Sequence, residues 1–177
     1  DWPGTGFMGI YCEVGLEFFS YVMVDYPEIL DEILEAKTYF TEKWAAGLPQ
    51  DDPFPGLFLG VDMAYKNGLM VSPNWLREHY IPRLKRVLDA YHRRGKVVMW
   101  HSDGDINAIL DDLVEAGIDL LNPIEVKANM DLADLHRRYP NLIFAGGIDV
   151  TDLLPNGSPQ QVKDAVVKAI EDTEGKI

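Results

Sequence analysis

At 177 residues, 47% of them hydrophobic and 25% charged, the chain is long enough to bury one sizeable core and has the composition of an ordinary soluble domain. No run approaches the roughly 18 consecutive apolar residues of a membrane span. The formal net charge of −13 argues against nucleic acid or an anionic membrane as partner, since both demand clustered Lys and Arg.

A lone Cys12 excludes a disulfide framework and a multi-cysteine zinc module, and fits a reducing, cytoplasmic compartment. The start, Asp1-Trp2-Pro3-Gly4, carries neither an initiator Met nor the basic, apolar and cleavage-site series of a secretory signal. It reads as trimmed, or as the start of a fragment.

Five strand-then-helix units are expected along the chain. Phe7 to Glu13 is the first strand, with Gly9 weakening it and Cys12 packed in it as a small apolar residue. A long helix enters at Asp25-Tyr26-Pro27-Glu28, where an Asp cap precedes an early Pro and a Glu, and runs to about Ala46. The second strand is Leu57 to Val61.

Ser72-Pro73 opens a second long helix. Its apolar residues Leu76, Tyr80, Leu84, Val87, Leu88 and Tyr91 keep helical spacing, Pro82 is expected to kink it, and Gly95 ends it. Val97 to Trp100 is the third strand and Ile106 to Ala116 a short helix. Asp119 to Pro123 forms the fourth strand, followed by a helix over Leu132 to Arg138. Leu142 to Ala145 is the fifth strand, and Ser158-Pro159 caps a last helix through Ile170.

Strands alternating with helices imply a parallel sheet with crossover connections. Near-continuous apolar strands suit either a doubly wound sheet or a (β/α) barrel. The strand ends favour the barrel. Each carries something chemical: Glu13, Asp62, His101 with Asp103, Asn122 with Glu125, and Asp149. A doubly wound crevice concentrates such groups at one or two strands, whereas a barrel mouth draws on nearly all of them. A full barrel takes about 250 residues, so the chain is read as a single, partial barrel domain over 1–177.

The densest chemistry lies in Trp100-His101-Ser102-Asp103-Gly104-Asp105. On an extended backbone His101 and Asp103 point the same way, so both reach one ion or substrate, while Gly104 permits a sharp turn. The alternative is a core histidine bonded to a carbonyl, with Asp103 capping the following helix. His101, Asp103 and Glu13 are the metal-ligand candidates. Asp62 and Asp149 are the catalytic candidates, against loop hydrogen bonding or capping as their other role.

Gly146-Gly147 is either a close backbone approach to a ligand or a plain tight turn. His79, His92 and His136 are expected on solvated helix faces. Asp134-Leu135-His136 begins like the Asp-x-His-x-x-Gly motif of corrinoid-binding domains, but Tyr139 stands where the Gly is required.

Several motifs together resemble the uroporphyrinogen decarboxylase superfamily. They are Asp62-Met63-Ala64-Tyr65-Lys66-Asn67-Gly68-Leu69-Met70-Val71-Ser72-Pro73, Pro82-Arg83-Leu84-Lys85, His101-Ser102-Asp103-Gly104, Glu115-Ala116-Gly117-Ile118-Asp119, Asn122-Pro123 and Gly146-Gly147-Ile148-Asp149. They span nearly the whole chain in the family's order. The resemblance implies a (β/α)8 TIM barrel, with the early strands and the last one outside this chain.

It also implies one of two chemistries. The decarboxylases remove carboxylate from the acetate arms of a porphyrinogen without a cofactor. The related methyltransferases use zinc to activate a thiol such as coenzyme M and exchange methyl groups with a corrinoid protein. The decarboxylases resemble Ala-Lys-Asp-Gly at the His101 turn, and their Ser after the second-strand acid falls on Met63. The methyltransferases carry His-x-Cys there, so His101 matches a zinc ligand and Asp103 replaces the first Cys.

A carboxylate in place of a thiolate makes the donor set harder. The expectation is metal-assisted methyl transfer on a small-molecule substrate, with zinc as the metal and corrinoid carried by a partner protein. Porphyrinogen decarboxylation is the alternative, and a non-catalytic small-molecule-binding barrel fragment a third. Exposed sheet edges also suggest a homo-oligomer.

Overall fold

The computed structural model describes residues 5–177. Helices α1 (Phe7–Val14), α2 (Leu16–Asp25) and α3 (Pro27–Ala46) come first. The expected strand over Phe7 to Glu13 is therefore corrected to a helix. Phe7, Ile10 and Val14 fall three and four residues apart, and Phe7 and Ile10 turn inward. The Phe7 ring packs edge-on against Phe19 at 5.5 Å and Tyr80 at 5.8 Å. Cys12 and Glu13 lie on the exposed side of α1, so Cys12 is not a packed strand residue and Glu13 does not end a strand.

Helix α3 begins at Pro27 as expected, but Tyr26 is its N-cap and Asp25 is the last residue of α2. Leu30, Leu34, Thr38, Thr41 and Ala45 form its buried stripe. After β1 (Gly56–Gly60), a small antiparallel pair, β2 (Ala64–Tyr65) and β3 (Gly68–Leu69), precedes α4 (Pro73–Trp75) and α5 (Ile81–His92). Between α4 and α5, Leu76–Tyr80 is π-helical, and Ile81 N–H donates to the Leu76 carbonyl. The disturbance expected at Pro82 thus takes the form of a widened turn just before it. A proline ring in regular α-geometry would collide with the carbonyl of residue 78.

The rest of the chain follows expectation closely, with β4 (Val97–His101), a 3-10 turn leading into α6 (Leu110–Ala116), β5 (Leu120–Asn122), α7 (Leu132–Arg138) and β6 (Ile143–Phe144), except that a short helix not expected from sequence, α8 (Leu153–Asn156), precedes α9 (Pro159–Asp172). A capping box of Ser158 and Gln161 opens α9. Arg86 bridges Glu35 at 2.7 Å and Glu42 at 2.7 Å, clamping α5 to α3. Two of the three helical histidines are less solvated than expected. His79 stacks on Trp75 at 4.7 Å, and His136 packs edge-on against Phe144 at 6.3 Å.

Among the described residues, four strands form one parallel sheet in the order β1-β4-β5-β6. Spatial order follows chain order with no reversal, which is not the arrangement of a doubly wound sheet. Register divides the sheet cleanly into two faces. Leu59, Trp100, Leu121 and Phe144 lie side by side, all essentially buried. Trp100 Nε1–H donates to the buried Tyr80 hydroxyl at 2.9 Å, tying β4 to the π-turn.

The opposite face carries Phe58, Met99, Leu120 and Ile143 in register, and Phe58 and Ile143 are 57% and 42% exposed. One face of an otherwise apolar parallel sheet is therefore uncovered, with β1 and β6 at its edges. Among the described residues no single helix is long and apolar enough to cross a membrane. The pair α1 and α2, bent by 114°, passes such a test only when taken together.

Candidate functional site

His101 is the last residue of β4 and pairs in register with Gly60 on one side and Asn122 on the other. Strand alternation sends Trp100 and Ser102 into the helix-covered core and leaves His101 and Asp103 for the other face and the strand end. Ser102 is buried. Its hydroxyl accepts from Met63 N–H at 3.1 Å and donates to the Asp103 carbonyl at 2.8 Å. These bonds hold the turn after β4 against the segment after β1.

Across that junction, Asp62 Oδ1 accepts from Asp103 N–H at 3.1 Å and lies 3.4 Å from His101 Nε2. Ligand atoms of Asp62, His101 and Asp103 all fall within 4.8 Å of one another. Tyr11, on α1, donates its hydroxyl to the Asp62 carbonyl, and burial raises its pKa to about 12. The Tyr11 phenol therefore stays protonated and donating. The His101 side chain is 23% exposed and its ring packs 5.2 Å from that of Phe58.

Desolvation raises the Asp103 carboxyl above the ordinary aspartate value, the Asp62 and Glu125 charges add to this, and His101 opposes it. Glu125 itself accepts from Gly104 N–H at 2.8 Å. The imidazole thus shares its cluster with two carboxylates, and the Glu125 charge acts on one of them, Asp103; gathering these like charges costs free energy that a bound cation would offset.

The sequence expectations separate here. The structure gathers Asp62, His101 and Asp103, and places Glu13 on α1 outside the converging set. Asp149 follows β6 and lines a cleft of about 150 Å³ whose wall also includes Asp103, Glu125, Lys127 and Gly146. Its Oδ1 accepts from the Thr151 hydroxyl at 2.7 Å, Thr151 N–H at 2.9 Å and Asp152 N–H at 3.2 Å. Its Oδ2 faces Lys127 Nζ at 3.4 Å.

The Thr151 hydroxyl leads the interactions that hold the Asp149 carboxyl well below the usual range. Asp149 is consequently an ionised acceptor at neutral pH, not a proton donor. The folded pKa lies below the unfolded one, so this stabilisation is complete above the ordinary aspartate range and is lost as pH falls through the folded value. Thr151→Val should raise the Asp149 pKa toward the ordinary range, followed by its carboxyl carbon shift against pH. An unchanged titration would contradict the assignment.

Tyr11, Ser102 and Phe58 are contributors that the sequence does not announce. Ser102 lies within the His101-Ser102-Asp103-Gly104 motif without a role of its own there, and only the alternation about Trp100 indicates that it turns inward. Phe58 reaches His101 because Gly60 pairs with His101, a register that no local pattern specifies.

Residues 15–177 match the family model described as uroporphyrinogen decarboxylase (URO-D). The chain belongs to this family. Among solved structures, a methyltransferase from Methanosarcina mazei aligns with this URO-D family chain at a TM-score of 0.69 and 18% identity, covering 89% of this chain and 45% of that one. At that identity the likeness establishes the fold, and the chain spans less than half the length of that methyltransferase. No curated protein matches the chain. The His101 turn of this URO-D family member lies at the carboxyl end of its parallel strands, where barrel enzymes carry their chemistry.

Proposed function

We propose that these residues form part of a (β/α)8 barrel in which Asp62, His101 and Asp103 hold a divalent metal, and that the enzyme moves a methyl group between a small molecule and a corrinoid protein. The observation that carries the reading is the convergence of one imidazole and two carboxylates at adjacent strand ends, within 4.8 Å of one another. Support for the barrel comes from the unreversed strand order and from the apolar face of Phe58, Met99, Leu120 and Ile143, which suits a barrel interior. The fold likeness to a methyltransferase favours methyl transfer within the family.

The donor set fits zinc or another divalent ion accepting nitrogen and oxygen ligands. Such an ion supplies Lewis acidity, lowering the pKa of a bound thiol or water. The chain's own groups set the geometry. Asp103 N–H fixes the Asp62 carboxylate, Ser102 fixes the turn, and Glu125 holds Gly104 in place.

Charge weighs against porphyrinogen decarboxylation. Asp62, Asp103, Glu125 and Asp149 crowd the strand ends, while Lys127, the cation lining the adjoining cleft, faces Asp149. A substrate bearing several carboxylates gains little there.

Elemental analysis of the full-length protein tests the reading, combined with an assay for thiol-dependent demethylation of methylcobalamin. About one divalent metal per chain and metal-dependent methyl loss are expected. Failure to take up zinc on reconstitution overturns the metal reading. Metal uptake with porphyrinogen decarboxylation in place of methyl transfer overturns the assigned chemistry.

A further inference from the structure

We propose that Asn122 is a positioning residue that selects the tautomer of His101, so that the neutral imidazole presents a bare Nε2 to Asp62 and Asp103. The argument starts from the Ala145 carbonyl, which can only accept. Asn122 Nδ2 donates to it at 2.9 Å, which fixes the orientation of the Asn122 amide. The amide oxygen is thereby turned toward His101, where Oδ1 lies 2.6 Å from Nδ1. An amide oxygen can only accept, so Nδ1 carries the hydrogen.

A neutral imidazole protonated at Nδ1 has a lone pair at Nε2. That lone pair faces Asp62 Oδ1 at 3.4 Å, with Asp103 in the same cluster. Two acceptors facing each other at this distance make a place that a cation would occupy favourably. An imidazole bonded through one nitrogen to an orienting acceptor and offering the other is the arrangement that metal-binding histidines adopt.

The relay crosses three neighbouring strand ends, from Ala145 after β6, through Asn122 on β5, to His101 on β4. The backbone holds its span. Ala145 N–H donates to the Leu121 carbonyl at 2.9 Å and Ser102 N–H to the Asn122 carbonyl at 3.1 Å. Asn122 therefore sits between two strands whose spacing the sheet itself sets.

The consequence for affinity rests on the proposed metal reading, whereas the tautomer is measured without any metal. The full chain, labelled with ¹⁵N-histidine, is examined metal-free by long-range ¹H–¹⁵N correlation at a pH above the imidazole titration. His101 signals are assigned by their loss in His101→Gln. The wild type is expected to show a protonated Nδ1 and a bare Nε2.

Asn122→Leu should lose this pattern and bind zinc roughly 10–100-fold more weakly. Asn122→Asp, which retains an acceptor for Nδ1, should restore the tautomer. Thermal unfolding of each variant separates this from loss of fold. A wild-type His101 protonated at Nε2, or a folded Asn122→Leu with an unchanged pattern, overturns the positioning role. Zinc uptake alongside the first of those results leaves the metal reading standing. The expected tautomer with no zinc uptake overturns the metal reading and leaves the positioning role intact.

Discussion

Replacing His101 by alanine is expected to weaken zinc binding by more than 100-fold, over about 2.7 kcal/mol, while the fold survives. The imidazole is the only nitrogen donor of the cluster, and without it two carboxylates of like charge remain. Oxygen donors alone suit magnesium, calcium or manganese better than zinc. The structural cost is small because the ring is part-exposed and lies at a strand end, where solvent can satisfy Asn122 Oδ1. A loss of about 1 kcal/mol or less is expected. Competition with a zinc chelator reads the affinity. Thermal unfolding with and without zinc gives a second readout, since a ligand bound to the native state raises the midpoint. Wild-type-like zinc affinity in the alanine variant would remove His101 from the metal site.

Gly104→Ala should be the most damaging small change near the site, costing about 3 kcal/mol. Gly104 has φ +87°, a region that costs an L-residue roughly 1–2 kcal/mol. A Cβ there would also stand 2.6 Å from the Tyr65 carbonyl oxygen and 2.7 Å from the Ala64 carbonyl carbon. Both neighbours are backbone, so no side-chain rotation relieves the overlap, and overpacking of this kind adds about 1–3 kcal/mol. Asp105 N–H donates to the Tyr65 carbonyl at 2.9 Å, and the turn cannot retreat without breaking that bond. Denaturant unfolding measures the cost. Zinc affinity should fall as well, because Glu125 and Asp103 are held through the same turn. A variant as stable as wild type would mean that the hairpin of β2 and β3 yields more readily than its packing indicates.

The strand ends were largely legible in the sequence because apolar runs of four or five residues, bounded by Pro, Gly and acidic residues, identify buried strands with little ambiguity once helices flank them. That logic brought Asp62, His101 and Asp103 to one end of one sheet. It failed at Phe7 to Glu13, where a short apolar run is compatible with either period and the inward Phe7 and Ile10 settle it as a helix. Glu13 belongs to the same helix, so it stands at no strand end. The role of Asn122 needed information of another kind. Its partners on either side, His101 and Ala145, belong to different strands, and lateral register appears in no local pattern.

The alternation through Trp100, His101, Ser102 and Asp103 has a consequence for how such a site diversifies. Trp100 and Ser102 secure the strand to the helix-covered side, through Tyr80 and Met63, and neither bond involves the imidazole or the Asp103 carboxylate. The two outward positions can therefore be exchanged, histidine for another residue or carboxylate for thiolate, with the anchors undisturbed. The backbone of the turn can therefore present different side chains at its tip without being rebuilt, as a fixed chuck takes different bits.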